Sequence, residues 1–328
     1  MNIAPIVAAL AALSLMLAVG SAAADEKLTI KSRNLKNMGE AARGEAGEPM
    51  EIKGDLKFPS ETKERFPAVV LLHTVGGYRE SNEGWHADQY RKAGFATLTY
   101  ESFEPRGVRD APTGGMARMW GSLVADAFGA LKALAAHPRI DARRIAVTGY
   151  SAGGELTRAL AFESLRKAFV ADDLRFAAHV AVYPCHLWAV RPAPNAFTGA
   201  PILEQLGGAD DCGPVAKAQA YYDYLKAQGH PAPVRIVIYP DAPHSWTDPY
   251  FSSTRFFPNH ASPSKCPLWL IGQGGPGFFD KGGERPFNPE EWGACLRNSK
   301  GYTQGFQSAT REKSTADAIA FIRQAFGQ

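Results

Sequence analysis

Residues Ile145 to Gly154 read I-A-V-T-G-Y-S-A-G-G, and they constrain the chain more than any other stretch. A short apolar, β-prone run meets Gly149-Tyr150-Ser151-Ala152-Gly153, a strand–turn–helix pattern of the form G-x-S-x-G. A serine on such a turn holds its hydroxyl clear of the sheet on a strained backbone. Side chains two positions to either side would strike neighbouring backbone, which is why both positions are glycine. The helix begins at the serine, so its unpaired N–H groups point towards developing negative charge. The pentapeptide alone also fits an ordinary Gly-rich turn, so the rest of the chain has to decide.

The chain has 328 residues, 45% hydrophobic and 21% charged, which is enough apolar material for a large core. A formal net charge of +3 with no Lys/Arg-rich run gives no footprint for nucleic acid. Ile3 to Val19 is apolar apart from Pro5 and Ser14, and Ala22 and Ala24 precede Asp25. The leader carries no Lys or Arg, but the apolar run is short for a membrane span and the small residues suit signal-peptidase cleavage. Residues 1–24 are therefore expected to be a signal peptide. The mature chain, 25–328, is expected to be periplasmic or secreted and free of the membrane.

From Asp25 to Glu48 no period is evident, and loose order is expected. Met50 to Phe58 alternates like an edge strand. Phe66 to Leu72, Phe95 to Tyr100, Phe176 to Tyr183, Pro201 to Leu206 and Val234 to Tyr239 read as buried strands. Helices are expected from Trp85 to Ala93, Met116 to Ala136, Val215 to Gln228 and Thr315 to Ala325, the last capped by Ser314. This alternation argues one α/β domain with a doubly wound, mostly parallel sheet and helices on both faces. Trp246 to Gly305 breaks the alternation with Pro, Gly and aromatic residues, and reads as an ordered insertion before the last helix. Within it, Gly272-Gln273-Gly274-Gly275-Pro276-Gly277 matches G-x-G-x-x-G formally. Pro276 and Pro286 argue against the helix that dinucleotide binding needs.

A nucleophilic serine needs a base, and an acid to orient the base, on loops after later strands in the order Ser, acid, His. The strand ending at Leu206 leads into Gly207-Gly208-Ala209-Asp210-Asp211, and the strand ending at Tyr239 leads into Pro240-Asp241-Ala242-Pro243-His244. Asp210 and His244 are the candidates, with Asp211 as an alternative acid or a helix cap. Of the other histidines, His86, His186, His230 and His260 lack a matching acid. Backbone donors for an oxyanion are expected at Ala152 and, in the loop after Leu72, at Val75. His73 in that loop is expected to be structural. Arg106, just past a strand end, is a candidate partner for a substrate carboxylate or else forms a salt bridge to Glu101 or Glu104. Tyr150 and Trp246 flank the nucleophile and the base and are further substrate-contact candidates.

With these pieces in place the chain resembles an exported member of the dienelactone hydrolase family of α/β-hydrolases. Phe66 to His73, Glu101-Ser102-Phe103-Glu104-Pro105-Arg106-Gly107, Gly149 to Gly154, Gly207 to Asp211, Tyr239 to His244 and Ala309-Thr310-Arg311 carry the resemblance. It implies an α/β-hydrolase fold and a triad of Ser151, Asp210 and His244. It departs from the founding enzymes, which use a cysteine nucleophile and a Glu in the early loop, where this chain has Ser151 and Thr74. That departure favours a general serine esterase acting on small esters or lactones, with no cofactor or metal. A peptidase, an acyltransferase or an inactive binding protein on the same scaffold are the alternatives. The residues leave oligomeric state open.

Cys185, Cys212, Cys266 and Cys295 allow three pairings and none has zinc-ligand spacing. Cys185 and Cys212 each follow one of two neighbouring strands at one sheet edge, so Cys185–Cys212 is expected, leaving Cys266–Cys295 to close the insertion.

Overall fold

The computed structural model describes residues 25–272, 274–280 and 283–328; the leader expected at 1–24 lies outside them. The chain opens with β1 (Glu26–Asn34), α1 (Met38–Ala42) and β2 (Glu48–Lys57). Loose order was the expectation for the stretch before Glu48, and the structure corrects it. β1 pairs antiparallel with β2 along its whole length, and Asn37 caps α1 by accepting the Glu40 N–H. β2 is thus an inner strand and β1 the edge.

The central elements follow as β3 (Phe66–Leu72), α2 (Trp85–Lys92), β4 (Ala96–Tyr100), α3 (Trp120–Ala135), β5 (Ile140–Tyr150) and α4 (Ala152–Ala159). Next come α5 (Glu163–Phe169), β6 (Ala178–Val182), β7 (Trp188–Val190), β8 (Ile202–Gly207), α6 (Val215–Ala227) and β9 (Val234–Tyr239). The main sheet runs β1-β2-β4-β3-β5-β6-β8-β9, antiparallel at β1, β2 and β4 and parallel thereafter. β3 is apolar at every position because both its faces are covered. Ala68, Val70 and Leu72 pack with α3, while Val69 and Leu71 pack with α2 and the last helix. β9, read as a buried strand, is instead the far edge of the sheet, and Ile238 is 41% exposed there.

Two helix starts differ from expectation. Short 3₁₀ turns occupy 111–113 and 115–118, so α3 begins only at Trp120. The last helix, α8 (Ser308–Ala325), begins before Ser314, whose hydroxyl returns to the Arg311 carbonyl from inside the helix.

The described residues of the insertion form regular elements. These are β10 (Arg255–Ala261), β11 (Leu268–Ile271), β12 (Gly277–Asp280), β13 (Gly283–Pro286), α7 (Pro289–Asn298) and β14 (Lys300–Gln304), which precede α8. β10 pairs with β14, and β13-β12-β11 join β7 in a second sheet. The G-x-G-x-x-G run leads into β12, an antiparallel strand, rather than a helix. Disulfides join Cys185 to Cys212 and Cys266 to Cys295, with Cα separations of 5.2 and 5.8 Å. Among the described residues no helix is long and apolar enough to cross a membrane.

Candidate active site

β5 delivers Ser151 at its C-terminal end. The Ser151 backbone sits at φ 54° and ψ −112°, a conformation that costs energy in any residue with a side chain. The elbow is held by close backbone contact. A Cβ on Gly149 would lie 2.2 Å from the Gly153 carbonyl oxygen, and one on Gly153 would lie 2.3 Å from that of Leu72. Both glycines are required by this packing.

Three elements converge on the serine. Ser151 Oγ lies 2.7 Å from His244 Nε2, and His244 Nδ1 lies 2.8 Å from Asp210 Oδ2. All three residues are buried. With Asp210 ionised, Nδ1–H donates to it, leaving Nε2 to accept the serine O–H. The second oxygen, Asp210 Oδ1, accepts the N–H groups of Cys212 and Gly213 at 2.8 and 3.0 Å. Asp211 turns away and binds the backbone and hydroxyl of Thr303 on β14, so it neither reaches His244 nor caps α6.

The loop after β3 faces Ser151. The N–H groups of Thr74 and Arg79 donate to Glu83, that of Tyr78 to Glu101, and those of Gly76 and Gly77 to Thr74. Val75 N–H makes no hydrogen bond among the described residues. Ala152 opens α4, so its N–H has no partner within the helix. Both residues line the same cavity as Ser151. Burial raises the Glu83 carboxyl above the ordinary range, against the pull of its backbone donors and of His73. His73 is locked in place, with Nδ1 2.7 Å from the Thr74 carbonyl and Nε2 accepting Ser102 N–H.

Behind the serine lies a buried ionic cluster that local sequence did not disclose. Arg158 on α4 donates to Glu155 on the same helix and to Glu204 on β8; Glu204 also meets His186 and Tyr222. His186 therefore has a matching acid after all. Glu155 Oε1 accepts the N–H groups of Leu187 and Trp188. Burial alone would raise Glu204, but Arg158, His186 and Tyr222 outweigh it and bring its pKa to about 2. The cluster joins α4, the helix that follows Ser151, to β8, the strand that precedes Asp210. The Cys185–Cys212 disulfide lies one residue from His186 and two from Asp210.

The three substrate-contact candidates sit elsewhere. Arg106 makes a two-pronged ion pair with Asp126 on α3 and donates to Asn34 and the Ser102 carbonyl. A buried aspartate needs a cation, and Arg106 is consumed in that role, so neither Glu101 nor Glu104 is its partner. Tyr150 keeps strand register while the chain turns at Ser151, so its ring points into the core and stacks on His86 at 4.5 Å. Trp246 is fully buried between Tyr183 and Tyr239, and its indole N–H donates to Ser314.

The cavity above Ser151 measures about 710 Å³. Trp120 and Met116 wall it from the core; Pro263, Trp269, Trp292 and Leu296 wall it from the insertion. Met38, from the segment before β2, also lines it. Tyr302 on β14 lines it beside the base and meets the His244 ring edge to face at 5.0 Å. A separate hollow of about 940 Å³ around Lys217 and Arg285 is lined by none of Ser151, Asp210 and His244. Among the described residues, Cys185, Cys212 and His244 form a cluster with metal-ligand spacing, their atoms within 4.8 Å. Both sulfurs are committed to the disulfide, so no thiolate is offered.

A mainly parallel, doubly wound sheet with a serine elbow at the end of a central strand is the architecture of the α/β hydrolases. The chain belongs to the dienelactone hydrolase family, whose model matches residues 52–262. Hydrolysis of a small molecule is the activity of that class. A dienelactone hydrolase-like promiscuous phosphotriesterase from metagenomic libraries is similar over 93% of this chain and 99% of its own, at 15% identity and a TM-score of 0.55. An esterase of the planctomycete Thermogutta terrifontis, solved with propionate bound, is similar over 60% of this chain and 81% of its own, at 15% identity and a TM-score of 0.46. At these identities the first likeness speaks to fold alone. A search of curated proteins finds no match.

Proposed function

We propose that the protein is a serine hydrolase that cleaves carboxylic esters or lactones through an acyl-enzyme, with Ser151 as nucleophile, His244 as base and Asp210 as the orienting acid. One observation carries the reading: an unbroken chain from Asp210 Oδ2 through His244 to Ser151 Oγ, with links of 2.8 and 2.7 Å, that opens into a cavity. Ser151 Oγ attacks the ester carbonyl while its proton passes to His244 Nε2. Asp210 holds the Nδ1–H tautomer and stabilises the imidazolium that forms. The free N–H groups of Val75 and Ala152 take the oxyanion. The His244 proton then goes to the leaving alkoxide, and water, deprotonated by His244, releases the acid and restores Ser151.

Two disulfides support an extracytoplasmic location, in keeping with the leader at 1–24 and a mature domain of 25–328. Ser151→Ala is expected to lower kcat for p-nitrophenyl acetate by at least about 10³-fold with an unchanged thermal unfolding midpoint. Turnover at the wild-type rate in that variant removes the assignment.

A further inference from the structure

We infer that the cavity selects esters of bulky, flat aromatic acids, and that the insertion's Trp269 and Trp292, which share the cavity wall with Trp120, determine this specificity. The inference rests on the serine hydrolase reading and names its substrate class. The space is the first argument. A cavity of about 710 Å³ is of the size that encloses a whole multi-ring ligand, far more than an acetyl or propionyl group fills.

The shape and rigidity of the walls are the second. Four indoles line the cavity: Trp120, Trp188, Trp269 and Trp292. Trp120 and Trp188 meet edge to face at 4.3 Å, and Trp269 stacks on Phe287 at 5.1 Å while meeting Trp292 edge to face at 5.9 Å. Phe278 packs against both Phe287 and Trp292. The Cys266–Cys295 disulfide ties α7, which carries Trp292, to the loop that leads into β11, which carries Trp269. The walls are therefore preformed and built of fixed aromatic rings. A flat ring gains stacking on such rings beyond the area it buries, whereas an alkyl chain gains the area alone.

The side of the ester is the third. His244 hands its proton to the leaving alcohol, so the alcohol lies next to His244, where Tyr302 and the Cys185–Cys212 disulfide line the wall. The indole-walled part is left for the acyl group. Trp269 and Trp292 lie past residue 262, where the family match ends, so this wall belongs to the chain's own insertion. The bonds made and broken are those of the hydrolysis above; only the acyl group is specified.

The test compares p-nitrophenyl acetate, octanoate and 2-naphthoate with the full mature chain, each kcat/KM divided by that ester's own hydroxide-catalysed rate. The naphthoate is expected to exceed both others by about tenfold or more. Octanoate equal to or above naphthoate, or acetate turned over with naphthoate untouched, overturns the inference and leaves the hydrolase reading standing. Turnover of none of the three removes the hydrolase reading and the inference with it. Trp292→Leu is expected to cost about tenfold on naphthoate and less than about twofold on acetate. An equal loss on both esters contradicts the assigned role. Trp120→Leu, in the same cavity wall, repeats this readout should the first variant not fold.

Discussion

Asp210 and Asp211 are adjacent and chemically identical, yet the structure gives them opposite tasks. Asp210 spends one oxygen on His244 and the other on two backbone N–H groups, while Asp211 pins β14 through Thr303. Asp210→Asn is expected to lower kcat for p-nitrophenyl acetate by about 10⁴-fold, because an amide forces the wrong imidazole tautomer. Asp211→Asn keeps the acceptor oxygen for Thr303 and is expected to stay within about threefold of wild type, since most surface changes are small. Steady-state kinetics on the two variants separates the roles; a reversed pattern would show Asp211 to be the orienting acid. The residues of this chain of bonds were legible because each stands at a marked place, just after an apolar strand in a Gly- or Pro-rich loop. Arg106, Tyr150 and Trp246 were misplaced for one common reason. Which way a side chain turns depends on what packs against it from distant sequence, here Asp126, His86 and Tyr183.

At the scale of elements, the buried cluster of Arg158, Glu155, Glu204 and His186 clamps α4 to β8, and so holds Ser151 and Asp210 in register. Glu204→Gln removes one of the two carboxylates that hold Arg158, the other being Glu155, and is expected to cost about 1.5–3 kcal/mol, read from urea unfolding curves. The pH dependence follows from the same contact. The Glu204 pKa falls from 4.5 to about 2 on folding, so its contribution is complete above 4.5 and is lost as pH drops towards 2. Between pH 6 and pH 3 the wild type should therefore lose more stability than Glu204→Gln; equal losses would show that Glu204 is not the group responsible. No local signal announced this cluster, because its members lie on separate elements that meet only in the folded core. The central strands were legible for the opposite reason, since burial on both faces writes itself as a mainly apolar run, unbroken in β3.

At the scale of the molecule, the Ser151, His244 and Asp210 chain of bonds sits at the end of the main sheet, and the segments that depart from strand–helix alternation shape the space above it. The edge strand β1 and helix α1 were illegible because an exposed, polar-alternating edge carries little hydrophobic signal, yet Met38 reaches the cavity. The insertion announced itself by its composition, and its Cys266–Cys295 pairing followed once strand order had paired Cys185 with Cys212. Its strands were not, because each is short and pairs with distant partners such as β7. The account turns on Ser151 being the activated nucleophile beneath these walls. Treating the protein with a fluorophosphonate and mapping the peptides by mass spectrometry tests that most directly. The account predicts one stoichiometric phosphonyl adduct on Ser151, abolished in His244→Ala; no adduct, or an adduct on another residue with Ser151 unmodified, would contradict it.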